Sequence, residues 1–313
     1  MTKKGRYSLN NDKLSLYTRV AGYYYKGGMT QAEIADQLGI SRKWVNNILK
    51  ECLEMGIVEI NIHGEIAELV EMEAALQKKY NLLAVRVVES SPGDENYKAT
   101  GQAGAKLLAE FVKDGDIIGF SRGRVLSELV EYLPPIDKKN LIAAQLMGSW
   151  NDRFDKLNAD SIVRRFCEKT NASANMLYAP VLVADEDLRE SMMSEEYFIK
   201  SYEVSKSSTI AVMGISSIDI KKYPKVEQRV WEIPKAAAGE VCTHFFDKDG
   251  KSVTTELDNF VIALSLEDMY RIPIRIGVAG RPRRFEQVLG AILGKYVNAI
   301  VIDSNVAYEL LSA

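Results

Sequence analysis

The chain has 313 residues, 47% hydrophobic and 27% charged, with a formal net charge of −3. That composition can build a packed core and excludes a disordered chain. The start, MTKKGRYSLNND, lacks the apolar run of a secretory leader, and no segment is apolar for long enough to cross a membrane. Three cysteines without a CxxC pair and two distant histidines argue against a disulfide framework or a metal centre, so no cofactor is expected and a reducing cytoplasm is the expected compartment.

The charge is uneven. Residues 1–62 hold nine Lys/Arg against six Asp/Glu, and the remainder holds 31 against 37. A basic front on an acidic body points to a polyanion partner for the front alone.

The first predicted element is a helix with Leu14, Leu16, Val20, Ala21 and Tyr24 at helical spacing. Residues 30–50, TQAEIADQLGISRKWVNNILK, then read as two short helices around a turn. Ala35 is small enough for a close helix crossing, and Gly39 suits a turn that needs positive φ. Ile34, Leu38, Ile40, Val45 and Ile48 fall inward. Thr30 with Glu33 makes a capping box, and Ser41 caps the second helix. This is the helix-turn-helix pattern. The second helix, about Arg42 to Met55, buries Val45, Ile48, Leu49, Cys52 and Leu53. It turns Ser41, Arg42, Lys43, Trp44, Asn46 and Asn47 outward at its start, where a recognition helix meets base edges. Arg and Lys suit guanine and Asn suits adenine, although each could instead hold phosphate. Trp44 could stack on the nucleic acid or cover the helix seam. Gln31 can reach a phosphate from the first helix's start. Ile57 to Ile62 alternates as the strand of a wing. One such unit binds DNA weakly, so a homodimer or tetramer reading a two-fold repeat is expected.

From Gly64 onward, helices and apolar strands alternate. The helix at residues 64–80 has Ile66, Leu69, Val70 and Leu76 on one face. Strands are predicted at LLAVRVV, DIIGF, LIAAQLM, NMLYAPVLV, STIAVMGI, IPIRIGVAG and NAIVID, with a strand pair turning at DKDG in GEVCTHFFDKDGKSV. The pattern is that of a doubly wound, Rossmann-like α/β domain with a parallel sheet. The domains expected are therefore a winged helix-turn-helix over 1–62 and an effector and oligomerisation domain over 63–313.

Ligands of such sheets sit beyond the carboxyl ends of the strands, at the topological switch point. The turns there are Ser121-Arg122-Gly123-Arg124, Gly148-Ser149, Gly214-Ile215-Ser216 and Gly280-Arg281-Pro282-Arg283-Arg284. Arginine and hydroxyl groups beside glycine at helix starts make an anion site, most simply for the phosphate of a small metabolite. No GxGxxG or GxxxxGK[ST] is present, which disfavours dinucleotides and nucleoside triphosphates.

The front, TRVAGYYYKGGMTQAEIADQLGISRKWVNNILKECLEMGIVEINI, resembles the N-terminus of the SorC family of sugar-responsive bacterial transcription regulators. GDIIGFSRGR, QLMGS, YAPVLVADEDLRE, VMGISSI, AAAGEVCTHFFDKDG and VAGRPRRFEQVLGAILGKYVNAIVIDSNVAYELL resemble, in family order, its sugar-binding domain, which is related in fold to sugar-phosphate isomerases. The resemblance implies that the ligand's polar end meets Ser121, Arg122, Gly123 and Arg124. It also implies that Gly148 and Ser149 line the pocket and that Glu240 bonds sugar hydroxyls. Arg284, with Arg281 nearby, stands where the family usually has lysine, and Val125 stands where it often has threonine. A second reading is an isomerase-type enzyme with an appended DNA-binding front, for which Glu240 and Asp303 are the available carboxylates and His244 the nearest histidine. A third, a constitutive scaffold, leaves the arginine-bearing turns unexplained.

Overall fold

The computed structural model of the chain describes residues 11–60, 64, 66–92, 94–150, 155–218, 236–254, 256–281 and 284–313. The chain divides into two compact units, Met1–Glu65 and Ile66–Ala313.

In the first unit, helix α1 (Asn11–Ala21) passes into a π-helical turn (Gly22–Lys26), followed by α2 (Gln31–Leu38) and α3 (Arg42–Glu54). The Thr30 hydroxyl accepts from Glu33 N at 3.3 Å and Glu33 Oε2 accepts from Thr30 N at 2.7 Å, so the capping box is closed. Gly39 ends α2 at φ 63°. Ile34, Val45, Ile48 and Cys52 are buried together with Tyr17 and Val20 of α1.

Three expectations change here. Tyr24 is 37% exposed, while Tyr17 is 1% exposed and donates to Glu51 from inside the core. The π-helical turn shifts the helical phase after Ala21, and Tyr24 leaves the buried face. Leu53 is 42% exposed, because the stripe of α3 closes at Cys52. Residues 57–60 form no strand, and 61–62, the rest of the expected wing, lie outside the described residues.

In the second unit the strands among the described residues are β1 (Ala84–Val88), β2 (Ile117–Phe120), β3 (Ile142–Gln145), β4 (Ser173–Asn175), β5 (Ile210–Ser216), β6 (Ala237–Val241), β7 (His244–Asp247), β8 (Ile274–Val278) and β9 (Ala299–Asp303). The sheet order is β1-β9-β8-β5-β2-β3-β4, with every neighbouring pair parallel. The hairpin β6–β7 joins the end of β5 antiparallel, with Ser216 opposite Glu240.

Strand alternation sorts the core into two layers. Ile210 and Val212 of β5, with Ala299 and Val301 of β9, face α5 (Asp94–Phe111), α6 (Arg124–Glu131) and α7 (Ala159–Thr170). Ala211 and Met213, with Ile300 and Ile302, face α4 (Ala67–Tyr80), α11 (Phe285–Leu293) and α12 (Ser304–Ser312). From β2 the chain runs outward through β3 and β4, returns to β2's other side as β5, and continues to β8 and β9. The direction reverses between β2 and β5, which is the switch point of a doubly wound sheet.

Here too some expectations fail. Ile66 and Val70 are 63% and 39% exposed, because α4 packs instead through Met72 and Leu76. NMLYAPVLV is not one strand. Tyr178 has φ 50°, and the segment beyond it makes only isolated bridges, Ser149 to Pro180 and Leu182 to Val261. DKDG turns as expected, bringing Ser252 opposite Phe246, but the segment before it is two strands rather than one, turning at Cys242 and Thr243, both at positive φ. Helices α8 (Glu186–Ser194), α9 (Glu196–Lys206) and α10 (Leu266–Arg271) had no counterpart in the sequence reading.

Two glycines give a paired test. A Cβ at Gly39 would meet nothing within 4 Å, so Gly39→Ala is expected to cost only the backbone term, about 1–2 kcal/mol. At Gly250 (φ 80°) a Cβ would lie 2.2 Å from Gly294 N and 2.6 Å from Gly290 O, so Gly250→Ala must move backbone and cost clearly more. Urea unfolding of both variants checks the order.

Candidate nucleic-acid interface and candidate effector site

On the first unit, Ser41 caps α3 by accepting from Trp44 N at 3.2 Å. This fixes the helix start so that Ser41, Arg42, Lys43, Trp44 and Asn47 stand exposed, with Asn46 half-buried beside them. Trp44 is 45% exposed, so it does not cover the helix seam. A concavity lined by Tyr24, Thr30, Gln31 and Arg42, among others, joins the starts of α2 and α3. The start of α2 and Arg42 thus border one groove, an arrangement suited to a phosphate backbone. Tyr24 belongs to this lining, and its apolar spacing in the sequence concealed that.

On the second unit, the anticipated segments lie toward the carboxyl ends of β8, β5, β2 and β3, four adjacent strands, but Gly214-Ile215-Ser216 is no turn: it is the end of β5 itself, extended by pairing with β8 and β6. Ser121 is buried, and its hydroxyl accepts from Gly214 N at 3.3 Å, tying the ends of β2 and β5 at the switch point. Gly123 N donates to Leu157 O at 3.0 Å. The two arginines of SRGR diverge. Arg122 lies over the Trp150 ring at 5.3 Å, toward β3, and Arg124 lies over the Tyr97 ring at 5.0 Å, toward β8.

Tyr97, in the first turns of α5, is a candidate site residue that sequence reasoning missed. Its hydroxyl accepts from Arg281 Nε at 2.7 Å. A Cβ at Gly280 would lie 2.3 Å from the Tyr97 ring, so only glycine lets β8's end run beneath it. Arg284, half-buried at the start of α11, has its pKa lowered first by burial and then by Arg281, while Tyr97 opposes the shift. Arg124, Arg281 and Arg284 therefore gather around Tyr97. Pro282 and Arg283 lie outside the described residues.

The remaining candidates are held by other partners. Gly148 is buried against Pro180, whose carbonyl carbon would be 2.5 Å from a Cβ there. The Ser149 hydroxyl donates to Asp160 at 2.7 Å and accepts from Gln145 at 3.3 Å. Glu240, half-buried, stands opposite Ser216 beside the end of β5. Asp303 caps α12, accepting from Asn305 N at 3.0 Å and Val306 N at 3.2 Å. His244 Nε2 lies 2.9 Å from Leu264 O and must donate to it. Burial pushes the Cys242 thiol up to about 12, which keeps it protonated at neutral pH.

A helix-turn-helix with a polar, exposed recognition helix, on a chain whose α/β unit gathers arginines at its switch point, defines an effector-binding transcription regulator. Comparison with known proteins agrees. Residues 24–59 match the winged helix-turn-helix DNA-binding family and residues 64–312 match a sugar-binding domain family. The chain is 29% identical over 313 residues to the sorbitol operon regulator of Klebsiella pneumoniae, covering 96% of this chain and 99% of that one. It is 28% identical over 314 residues to the deoxyribonucleoside regulator of Bacillus subtilis, covering 97% and 99%. The crystal structure of the full-length Klebsiella regulator SorC superposes with a TM-score of 0.73 at 28% identity, covering 96% of this chain and all of that one, 100%. The chain belongs to the SorC family of sugar-responsive transcription regulators.

The His244 contact predicts a pH dependence. Burial holds its imidazole below the usual 6.5, so the folded state binds fewer protons than the unfolded state beneath that value. The associated stability is present above 6.5 and is lost as pH falls toward the folded value. His244→Gln retains an N–H donor for Leu264 O and does not titrate. Urea midpoints measured from pH 5 to 8 are expected to fall on the acid side in the parent and to fall less in the variant.

Proposed function

We propose that the first unit reads double-stranded operator DNA as part of a homodimer or tetramer, and that the second unit binds a sugar or phosphorylated sugar that alters operator affinity. A carbohydrate-catabolism operon is the natural target. The observation behind this reading is the gathering of Arg124, Arg281 and Arg284 around Tyr97 at the switch point, a site fitted to an anionic metabolite. The DNA contacts proposed are Gln31, Ser41, Arg42, Lys43, Trp44, Asn46 and Asn47. The effector contacts proposed are Ser121 to Arg124, Gly214, Glu240, Gly280, Arg281 and Arg284, with Gly148 and Ser149 bordering the site from β3.

Binding control without catalysis is favoured by the acid/base candidates themselves. Asp303 and His244 are engaged in holding α12 and the loop at Leu264. Among the described residues, no helix is long and apolar enough to cross a membrane, in keeping with a regulator that works on DNA in the cytoplasm.

Two experiments test the division of labour. Arg42→Ala or Asn46→Ala is expected to weaken operator binding by about 1–3 kcal/mol in a fluorescence-anisotropy titration and to leave effector binding unchanged. Thermal melts against a panel of sugars and their phosphate esters are expected to rise by a few degrees for a specific ligand, since saturation at about a hundred times Kd stabilises by roughly 2.7 kcal/mol. Arg284→Ala should abolish that rise. A rise of equal size in the variant rejects the effector site.

A further inference from the structure

Resting on the reading of the second unit as an anion-binding effector domain, we propose that Tyr97 is a positioning residue that holds Arg281 and Arg124 convergent on a phosphoryl group. Effector discrimination in favour of phosphate esters then depends on its hydroxyl.

The argument is geometric. Arg281 stands on the exposed loop that follows β8, and Arg124 opens α6 after β2. They belong to different strand ends, and their like charges repel. Tyr97 meets both, through its hydroxyl at Arg281 Nε, 2.7 Å away, and through its ring face at Arg124, 5.0 Å away. The ring packs closely against Gly280. It occupies the space that a Cβ on Gly280 would fill, and that same Cβ would be 2.8 Å from Val125 Cβ. The adjacent residue, Asn96, is fully buried. Its Nδ2 donates to Gly280 O at 3.2 Å, and its Oδ1 accepts from Ser91 N at 3.2 Å.

The chemistry follows from the hydrogens. A phenol that accepts from Nε keeps its own hydrogen, so it can donate to a ligand oxygen. Nε is one of five N–H donors on Arg281, and fixing it orients the terminal nitrogens for bidentate binding. A neutral sugar hydroxyl gains little from this array, whereas a phosphoryl group takes both guanidinium groups and the phenol.

The test is a double-mutant cycle on the full chain, read by isothermal titration with inorganic phosphate and with hexose and pentose phosphates. Tyr97→Phe keeps the ring and removes the oxygen, and it is expected to weaken phosphate binding about tenfold, the effect of one charge-assisted hydrogen bond. In the Arg281→Ala background the same change should weaken binding less than in the parent, because the part of its effect that acts through Arg281 is already lost. A general loss of fold would instead add equally in both backgrounds. If the parent binds phosphate, Arg284→Ala loses it, and Tyr97→Phe either binds normally or adds fully to Arg281→Ala, then the role given to Tyr97 is wrong and the effector site stands. If the parent binds neither phosphate nor any ester, the anion-site reading fails and the inference falls with it.

Discussion

The carboxyl edge of the sheet depends on one buried amide. Asn96 is inaccessible to solvent, and its side chain meets the segments that follow β1 and β8 and the end of β9. It donates to Gly280 O after β8, lies 3.5 Å from Asp303 Oδ2 at the end of β9, and accepts from Ser91 N after β1. A carboxylate could not donate in this position, and an aliphatic side chain would leave the Gly280 carbonyl and the Ser91 N–H buried without a partner. Through Asn96 the first turn of α5 is tied to the sheet, and through Tyr97 that turn meets Arg281 and Arg124.

The cluster also spans the sheet's two layers. Arg124 opens α6 and Tyr97 belongs to α5, on one face of the sheet, whereas Arg284 precedes α11 on the other. An anion held by all three therefore joins elements from both faces across the strand ends. A ligand shifts a protein's conformation only by its preference for one arrangement over another. A site assembled from both layers can supply that preference, because any relative movement of α6 and α11 changes the spacing between its cations.

How much of this was readable in the sequence follows from how each signal arises. The parallel sheet was legible because strands buried on both faces become continuous apolar runs, as in DIIGF and NAIVID. The switch-point turns were legible because glycine and arginine directly followed those runs. Tyr97 and Asn96 were not, because they lie in an ordinary helical stretch and acquire their roles only when β8 and β9 come alongside. NMLYAPVLV misled because its apolar content suits a strand while Tyr178 and Pro180 break it into isolated bridges. Cys242 and Thr243 gave no turn signal, since neither is a residue type that favours positive φ. Tyr24 misled for a local reason, because a π-helical turn advances the phase that a 3.6-residue period assumes.

The arginine at position 284 has a physical logic within this arrangement. Arg284 is half-buried and has Arg281 as a near neighbour, and both circumstances oppose a positive charge. A lysine held there would be pushed down by burial and by the neighbouring cation, and an ammonium is readily neutralised under those pressures. A guanidinium starts far more basic than an ammonium, so the same pressures lower its pKa and still leave it charged at neutral pH. Delocalisation and weaker hydration also let it sit beside a second guanidinium at less cost. Placing two cations side by side at the end of β8 thus calls for arginine at both positions, and the phenol of Tyr97 holds one of them in place.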